Sequence, residues 1–277
     1  MGVLRQRPVR RHVLRRPAAK RACARKHVAS SSATKSSPST FAVGRHALFY
    51  GCRRRPAKLV VLLHGLNDSA KCCAEGVVNR WAEGLAKTLL AVPQSPYRTD
   101  YSSDKDPGYT WINTKGLFPF DAKAKFGTGS TEFRASIKEF HSAVRQSCRD
   151  VGLWLDAILE KYSLTNKDLV LAGFSQGSIL AAIVGAKRNT CGTIVCGGVP
   201  FAGFLELAKL MPKTSQTQFL AVNGTKDGVV ERKPLEAMLS PYECEWHWSK
   251  GVGHDFPSAW YTIEQKWMKE LFDTDAM

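Results

Sequence analysis

The chain has 277 residues, of which 44% are hydrophobic, so it is long enough to bury a sizeable core in one domain. No run of the sequence approaches about 18 consecutive apolar residues, and we expect no membrane-spanning helix. The formal net charge of +16 first suggests a nucleic-acid partner, but residues 1–58 hold 16 of the 40 Lys and Arg and no Asp or Glu. The charges of residues 59–277 therefore balance, which argues against a body that binds nucleic acid.

The basic segment at residues 1–40 is expected to lie outside the fold. It combines Arg with Ser-rich runs and contains no acidic residue, a composition typical of organellar transit peptides. We therefore predict a disordered targeting arm for the mitochondrion or another organelle, followed by a linker or first-strand region at residues 41–56. The alternatives are a solvated basic tail that contacts RNA or anionic lipid weakly, and a cytoplasmic location.

The eight cysteines form no metal-binding pattern. No pair is spaced as C-x-x-C, and the adjacent Cys72 and Cys73 have a poor geometry for chelation. Because no secretory signal is recognisable, we expect reduced thiols, no disulfide and no zinc.

Beyond residue 57, apolar runs alternate with segments of helical periodicity. Strands that alternate with helices predict βαβ units, and therefore an α/β fold with a mostly parallel central sheet and helices on both faces. The segment 94–129 is rich in Pro, Gly, Asp and Ser, and a loop of this length predicts a lid or a binding loop. In chain order we predict a strand at 59–63, a helix at 77–90, a short strand at 91–93, the long loop, a helix at 133–162, a strand at 169–174, a helix at 178–186, strands at 193–199, 218–222 and 245–248, and a helix at 258–272.

The pattern G-x-S-x-G stands at residues 173–177, between a predicted strand and a predicted helix. A serine hydroxyl is a useful nucleophile only when it is exposed and next to a base. A sharp strand-to-helix turn would expose Ser175, and its neighbours are Gly because larger side chains would clash. The backbone N–H of Gln176 would then start a helix, where it can donate to a developing oxyanion. A purely structural serine in a Gly-flanked turn is the alternative.

A second oxyanion donor is expected from the loop that follows an earlier strand. His64, Gly65 and Leu66 follow the predicted strand at 59–63. We assign the donor to the backbone N–H of Leu66. His64 is expected to be a structural residue of this turn, and a role as a base is the less favoured alternative.

An acid and a histidine should follow the serine, in the chain order Ser, Asp, His that α/β-hydrolases use. Asp227 lies beyond the strand at 218–222 and a Gly turn, although an Asx-turn would explain the same residue. His254 comes last, on a Gly-containing loop. It is favoured over His247, which stands in the middle of a predicted strand. We therefore predict a triad of Ser175, Asp227 and His254.

Four segments, taken together, resemble the phospholipase/carboxylesterase family, which includes acyl-protein thioesterases and small bacterial carboxylesterases. They are Leu59–Ala70, Leu171–Ala182, Leu220–Val230 and Gly251–Phe256. The resemblance covers residues 57–273 and implies an α/β-hydrolase domain. It further implies hydrolysis of carboxylic esters or thioesters through an acyl-enzyme, without a cofactor, on a small-molecule or acylated substrate.

The resemblance also implies roles for individual residues. It implies that Ser175, His254 and Asp227 form a catalytic triad. It also implies that the backbone amides of Leu66 and Gln176 form the oxyanion hole. Trp111 begins a segment similar to the family's Trp-Phe-Asp, and it forms, with Phe174, our pair of candidate pocket residues.

Three positions depart from the family pattern. Asn67 replaces the second Gly of HGLGD, Ser178 replaces the last Gly of GFSQGG, and Asn113 replaces an Asp near the predicted pocket mouth. None of them belongs to the triad, so the expected chemistry is unchanged. The shape of the acyl pocket, however, is not carried over from the family.

Other functional classes stay open at this point. A catalytically idle scaffold or binding protein of the same fold is the main alternative, although all three triad residue types are present. A protein that uses its basic arm to contact nucleic acid is a weaker one, since no specific nucleic-acid motif is present. A peptidase or a true lipase is the alternative within hydrolases. The sequence does not indicate an oligomeric state.

Overall fold

The computed structural model describes residues 46–99, 107–114, 118–198 and 205–274. The predicted targeting arm at residues 1–40 lies outside the described residues. In the described part of the chain, no helix is both long enough and apolar enough to span a bilayer.

Within the described residues, seven strands form one sheet, and two short strands pair separately. The strands are β1 (Leu48–Gly51), β2 (Lys58–Leu63), β3 (Thr88–Val92), β4 (Tyr97–Arg98), β5 (Tyr109–Thr110), β6 (Leu169–Phe174), β7 (Gly192–Cys196), β8 (Gln218–Gly224) and β9 (Cys244–Ser249). The order in the large sheet is β1-β3-β2-β6-β7-β8-β9, and of these described strands β1 alone pairs antiparallel. The mostly parallel sheet predicted from the apolar runs is therefore confirmed.

Helices cover both faces of this sheet, as predicted. They are α1 (Ala70–Cys73), which continues through a π-helical turn (Ala74–Val78) into α2 (Asn79–Ala82), then α3 (Pro119–Phe126), α4 (Thr131–Tyr162), α5 (Gln176–Arg188), α6 (Leu205–Ala208), α7 (Arg232–Leu239) and α8 (Ser258–Thr274). A 3₁₀ turn (Asn166–Asp168) precedes β6.

The alternation of side chains along the strands produces two separate cores. In β2, Leu59, Val61 and Leu63 pack with α4, α5 and α7, whereas Val60 and Leu62 pack with α1, α2 and α8. Because both faces of the central strands are covered, these strands are mostly apolar, and β6 contains no polar residue.

One predicted helix is wrong in position. The chain is helical over residues 70–82 and forms β3 at Thr88–Val92, where we predicted a helix at 77–90 and a strand at 91–93. A short apolar run is compatible with a buried strand and with a buried helix. Leu85 and Leu89 fit the spacing of both kinds of element. The helix ends at Ala82, and Lys87, with a positive φ of 54°, turns the chain into β3.

The other predicted elements are confirmed with small shifts of their ends. The predicted strand at 193–199 stops at Cys196 because Gly197 turns the chain with φ 50°. The predicted loop at 94–129 contains the β4–β5 hairpin and α3 in its described residues. These elements are short and polar, and their apolar spacing is too sparse to be recognised in a sequence.

Candidate active site

Ser175 sits on a strained turn between β6 and α5. Its φ of 51° and ψ of −116° are rarely adopted by a residue with a side chain. A Cβ at Gly173 would lie 2.3 Å from the carbonyl oxygen of Gly177, and a Cβ at Gly177 would lie 2.1 Å from that of Leu63. The two glycines are therefore required sterically, and the turn presents the Ser175 hydroxyl at the carboxyl edge of the sheet.

A row of two hydrogen bonds joins the three predicted triad residues. His254 Nε2 is 2.9 Å from Ser175 Oγ, and His254 Nδ1 is 2.8 Å from Asp227 Oδ2. A carboxylate can only accept, so Nδ1 carries the proton and Nε2 is free to accept the serine proton. This is the arrangement that a general base for Ser175 requires.

Asp227 is held as an anion by its surroundings. Its side chain is 1% exposed, and this burial raises its pKa, but hydrogen bonds from His254, Val229 and Val230 outweigh burial and leave the pKa lowered. Oδ1 accepts from the backbone N–H groups of Val229 and Val230 at 2.8 and 3.0 Å. The Asx-turn considered for this residue is therefore present, and it leaves Oδ2 for His254.

His254 is carried by the loop between β9 and α8. This loop packs tightly on the end of β8, where a Cβ at Gly224 would lie 2.2 Å from the carbonyl oxygen of Val252. Lys226 N–H donates to the same carbonyl at 2.8 Å. The close approach brings His254 to Asp227, although the two lie on different loops. His247 lies within β9, opposite Val222 of β8, and is absent from this row.

The two predicted oxyanion amides come from different loops. Gln176 is the first residue of α5, and the first N–H groups of a helix have no acceptor within it. Among the described residues, the backbone N–H of Leu66 donates to no protein acceptor. A Cβ on the neighbouring Gly65 would lie 3.5 Å from Ser175 Cβ, so this loop runs directly beside the serine.

The two candidate pocket residues lie in different surroundings. Trp111 is 1% exposed, and its indole N–H donates to the carbonyl of His64 at 2.9 Å, so it supports the loop from beneath. Phe174 is half-buried and stacks between His254 and Phe256, with ring centroids 5.3 and 5.2 Å away. Phe174 therefore flanks the serine, whereas Trp111 belongs to the packed interior.

Sequence reasoning missed the side chain of Gln176. It is buried, and its Oε1 accepts from Trp111 N at 2.7 Å and from Thr110 Oγ1 at 3.0 Å. These bonds tie the serine turn to the segment after β5. A long polar residue at the first position of a mostly apolar helix was the available signal.

The structure accounts for two of the three departures from the family pattern. Asn67 adopts φ 59°, a region that Asn tolerates better than most residues, and its Oδ1 accepts from Thr99 Oγ1 at 2.6 Å. Ser178 Oγ donates to the carbonyl of Ser175 at 2.6 Å and so reinforces the turn. Asn113 is exposed, and nothing in the structure explains its replacement of Asp.

No cluster of His, Cys, Asp or Glu within the described ranges has an arrangement that could hold a metal ion.

Comparisons with known proteins concern the family and the fold of the chain. The model of the phospholipase/carboxylesterase family matches residues 50–273. A search of curated proteins gives no significant match. Among solved structures, esterase PE8 is similar with a TM-score of 0.62 and 20% identity, over 80% of this chain and 97% of that one.

Two further solved structures extend the comparison. SOBER1 from Arabidopsis thaliana has a TM-score of 0.58 and 21% identity, over 78% of this chain and 99% of its own. A carboxylesterase from Mesorhizobium loti has a TM-score of 0.59 and 13% identity, over 83% and 96%. At these identities the likeness concerns the fold.

Proposed function

Because the chain belongs to the phospholipase/carboxylesterase family and has the α/β-hydrolase fold, we propose that it cleaves carboxylic esters or thioesters through an acyl-enzyme formed on Ser175. The observation that carries this proposal is the row Ser175 Oγ–His254–Asp227, with hydrogen bonds of 2.9 and 2.8 Å. The coarser assignment to ester hydrolases rests on the family, and the roles of individual residues are our proposal.

Acylation begins with attack by the serine. His254 Nε2 takes the hydroxyl proton while Oγ forms a bond to the substrate carbonyl carbon. The carbonyl electron pair moves to oxygen, and this oxyanion accepts hydrogen bonds from the amides of Leu66 and Gln176. Asp227 stabilises the imidazolium through Nδ1 and does not itself take the proton. As the intermediate collapses, His254 protonates the departing alcohol or thiol.

Deacylation repeats the same steps with water. His254 removes a proton from a water molecule, whose oxygen attacks the acyl carbon. The second tetrahedral intermediate expels Ser175 Oγ, which regains its proton from His254, and the carboxylic acid leaves. The proposal assigns no cofactor to either half of the reaction.

The main alternative is a scaffold that has kept the fold and lost the activity. Two observations favour an enzyme. The backbone of Ser175 is strained, with φ 51° and ψ −116°, as is common at active sites, and its hydroxyl lies 2.9 Å from the acceptor nitrogen of His254. The substrate class, esters or thioesters, is taken from the family, and a true lipase or a peptidase is the alternative within hydrolases.

Hydrolysis assays test this proposal directly. The full chain should hydrolyse p-nitrophenyl esters and acyl thioesters in a series of chain lengths, and a fluorophosphonate probe should label Ser175. Ser175→Ala should abolish labelling and reduce the rate by several orders of magnitude. Full activity in Ser175→Ala would overturn the proposal, and comparison of the ester series with peptide and triglyceride substrates would identify the substrate class.

We also propose that residues 1–40 direct the protein to an organelle. The support is their composition, with Arg and Ser and no acidic residue. A fluorescent protein fused to residues 1–40 should enter the mitochondrion or another organelle, and a fusion in which every Arg is replaced by Gln should not. A fusion that stays in the cytoplasm in both forms would contradict the targeting role.

A further inference from the structure

The imidazole of His64 is buried beside the proposed active site and takes no part in the triad. It is 0% exposed and follows β2 at the carboxyl edge of the sheet. Nδ1 is 2.8 Å from the carbonyl oxygen of Gly65, and Nε2 is 3.2 Å from the backbone N of Ser95 and 3.1 Å from Nε2 of Gln94. Both ring nitrogens are therefore engaged.

These partners determine the tautomer. The Ser95 N–H can only donate, so Nε2 of His64 must accept. The Gly65 carbonyl can only accept, so Nδ1 must carry the proton. Gln94 agrees, because its Oε1 accepts from the Ala70 N–H and its amide nitrogen is left to donate to His64. Burial also lowers the pKa of His64, despite the opposing effects of Gly65 and Asp68, and this favours the neutral ring.

The hydrogen bond to Gly65 acts on one peptide unit. The carbonyl of Gly65 and the N–H of Leu66 belong to the same planar trans peptide and point in opposite directions. Fixing the carbonyl in the interior therefore fixes the direction of the Leu66 N–H. Gly65 lacks a side chain to restrict its rotation, so this peptide would otherwise turn easily.

A second contact holds the other side of the same loop. The carbonyl of His64 accepts from Trp111 Nε1, and the backbone N–H of Trp111 donates to Gln176 Oε1. The two loops that supply the proposed oxyanion amides are thus joined by buried hydrogen bonds. This linkage orients the loop as a whole, whereas the bond from His64 to Gly65 orients the single peptide that faces the substrate.

From this geometry we infer that His64 is a positioning residue for the oxyanion hole: its Nδ1–H holds the Gly65–Leu66 peptide with the Leu66 N–H directed at the substrate carbonyl oxygen. The inference rests on the proposed function, since it assigns a task within that reaction. It predicts an effect on the transition state, where the oxyanion exists, and little effect on the bound substrate.

Two substitutions of His64 test the hydrogen bonds of Nδ1 and Nε2 separately. The amide of Asn reaches the position of Nδ1, so His64→Asn keeps a donor for the Gly65 carbonyl. The amide of Gln reaches the position of Nε2, so His64→Gln keeps an acceptor for Ser95 and loses that donor. We expect kcat to fall on the order of 10²-fold in the Gln variant and much less in the Asn variant, with KM unchanged in both. Affinity for a trifluoromethyl ketone, which forms a tetrahedral adduct with serine, should fall with kcat.

The kinetic results distinguish a failure of the positioning role from a failure of the esterase proposal. Equal losses of kcat in the two variants, or a smaller loss in the Gln variant, would overturn the positioning role while leaving the esterase proposal intact. A wild-type chain without ester hydrolysis would overturn both.

A measurement on the unmodified full chain covers the case in which neither variant folds. With ¹⁵N-labelled histidine and leucine, NMR should find His64 neutral and protonated at Nδ1, and the Leu66 amide proton should shift downfield when the trifluoromethyl ketone binds. A proton on Nε2, or an unmoved Leu66 signal in the adduct, would overturn the inference.

Discussion

The thiol of Cys196 lies 2.7 Å from Oε1 of Glu264, and both side chains are completely buried between β7 and α8. Burial raises the pKa of Glu264 to about 8, although its hydrogen bonds lower it in part. Burial and the neighbouring Glu264 likewise raise the pKa of Cys196 well above its usual value. The backbone carbonyl of Cys196 accepts from Ser175 N–H at 2.9 Å, so this pair lies directly under the serine turn.

The raised pKa of Glu264 predicts a dependence of stability on pH. Between its unfolded pKa near 4.5 and its folded pKa of about 8, the folded state holds a proton that the unfolded state has released. The free energy of unfolding should therefore decrease as pH rises through this window, by at most about 1.4 kcal/mol per pH unit. Glu264→Gln should remove this decrease in urea unfolding measured from pH 4 to 9. Glu270→Gln, at an exposed position of the same helix, should retain it, and an unchanged slope in Glu264→Gln would contradict the assignment.

Asp227 should matter for the rate far more than for binding. Asp227→Asn removes the carboxylate that keeps the proton on Nδ1 of His254. The proton can then reside on Nε2 instead, and Ser175 loses its base. The rate loss for the equivalent change in a serine protease is about 10⁴-fold, and we expect kcat to fall by a similar order with KM little changed. Steady-state kinetics on a p-nitrophenyl ester checks this. The neighbouring exposed Asp255→Asn is the matched control and should stay near wild type.

The lowered pKa of Asp227 also has a consequence for stability. Its folded carboxyl binds a proton less readily than the unfolded one, so its contribution is complete above the unfolded pKa near 3.8 and is lost as pH falls through the folded value. The Asp227→Asn variant should therefore lose less stability than the wild type on acidification below about pH 4. Thermal unfolding at pH 3 and pH 6 measures this difference, and equal losses in the two proteins would count against it.

Gly177 is predicted to tolerate no side chain. A Cβ there would lie 2.1 Å from the carbonyl oxygen of Leu63, and both groups are backbone that cannot easily move apart. We expect Gly177→Ala to lower stability by about 1–3 kcal/mol and to displace Ser175, with a large loss of activity. Gly228→Ala is the control, because a Cβ there meets nothing within 4 Å. Similar melting temperatures and rates for the two variants would show that the serine turn can relax.

The Gln176 side chain should contribute to stability through its buried acceptor. Gln176→Leu would leave the buried Trp111 N–H without a partner, at a cost of about 1–3 kcal/mol. Thr110→Ser keeps the hydroxyl that bonds the same oxygen and the Ile112 backbone, and it leaves the Trp111 bond in place, so its cost should be smaller. Denaturant unfolding of both variants checks the order. A larger effect of Thr110→Ser would mean that the Trp111 bond is not the one that matters.

Much of the fold could be predicted because local signals agreed with the tertiary structure. The apolar runs at β2 and β6 are buried on both faces, and α4 carries a long helical periodicity. The error at residues 77–90 arose because Leu85 and Leu89 fit the spacing of a helix as well as that of a short buried strand. The confirmed membership of the phospholipase/carboxylesterase family followed from motifs in order, whereas the catalytic roles and the targeting arm stay predictions.

By itself, the sequence determined the residue types, their order Ser, Asp, His, and the placement of Ser175 between a strand and a helix. These are properties of neighbours along the chain, so local sterics and periodicity are enough to recognise them. Only the tertiary structure decided which atoms meet. The bond of His64 to Gly65 and the tautomer of His254 depend on partners brought close by the parallel sheet, whose strand ends meet at one edge. The side chain of Gln176 contacts segments more than 60 residues away for the same reason.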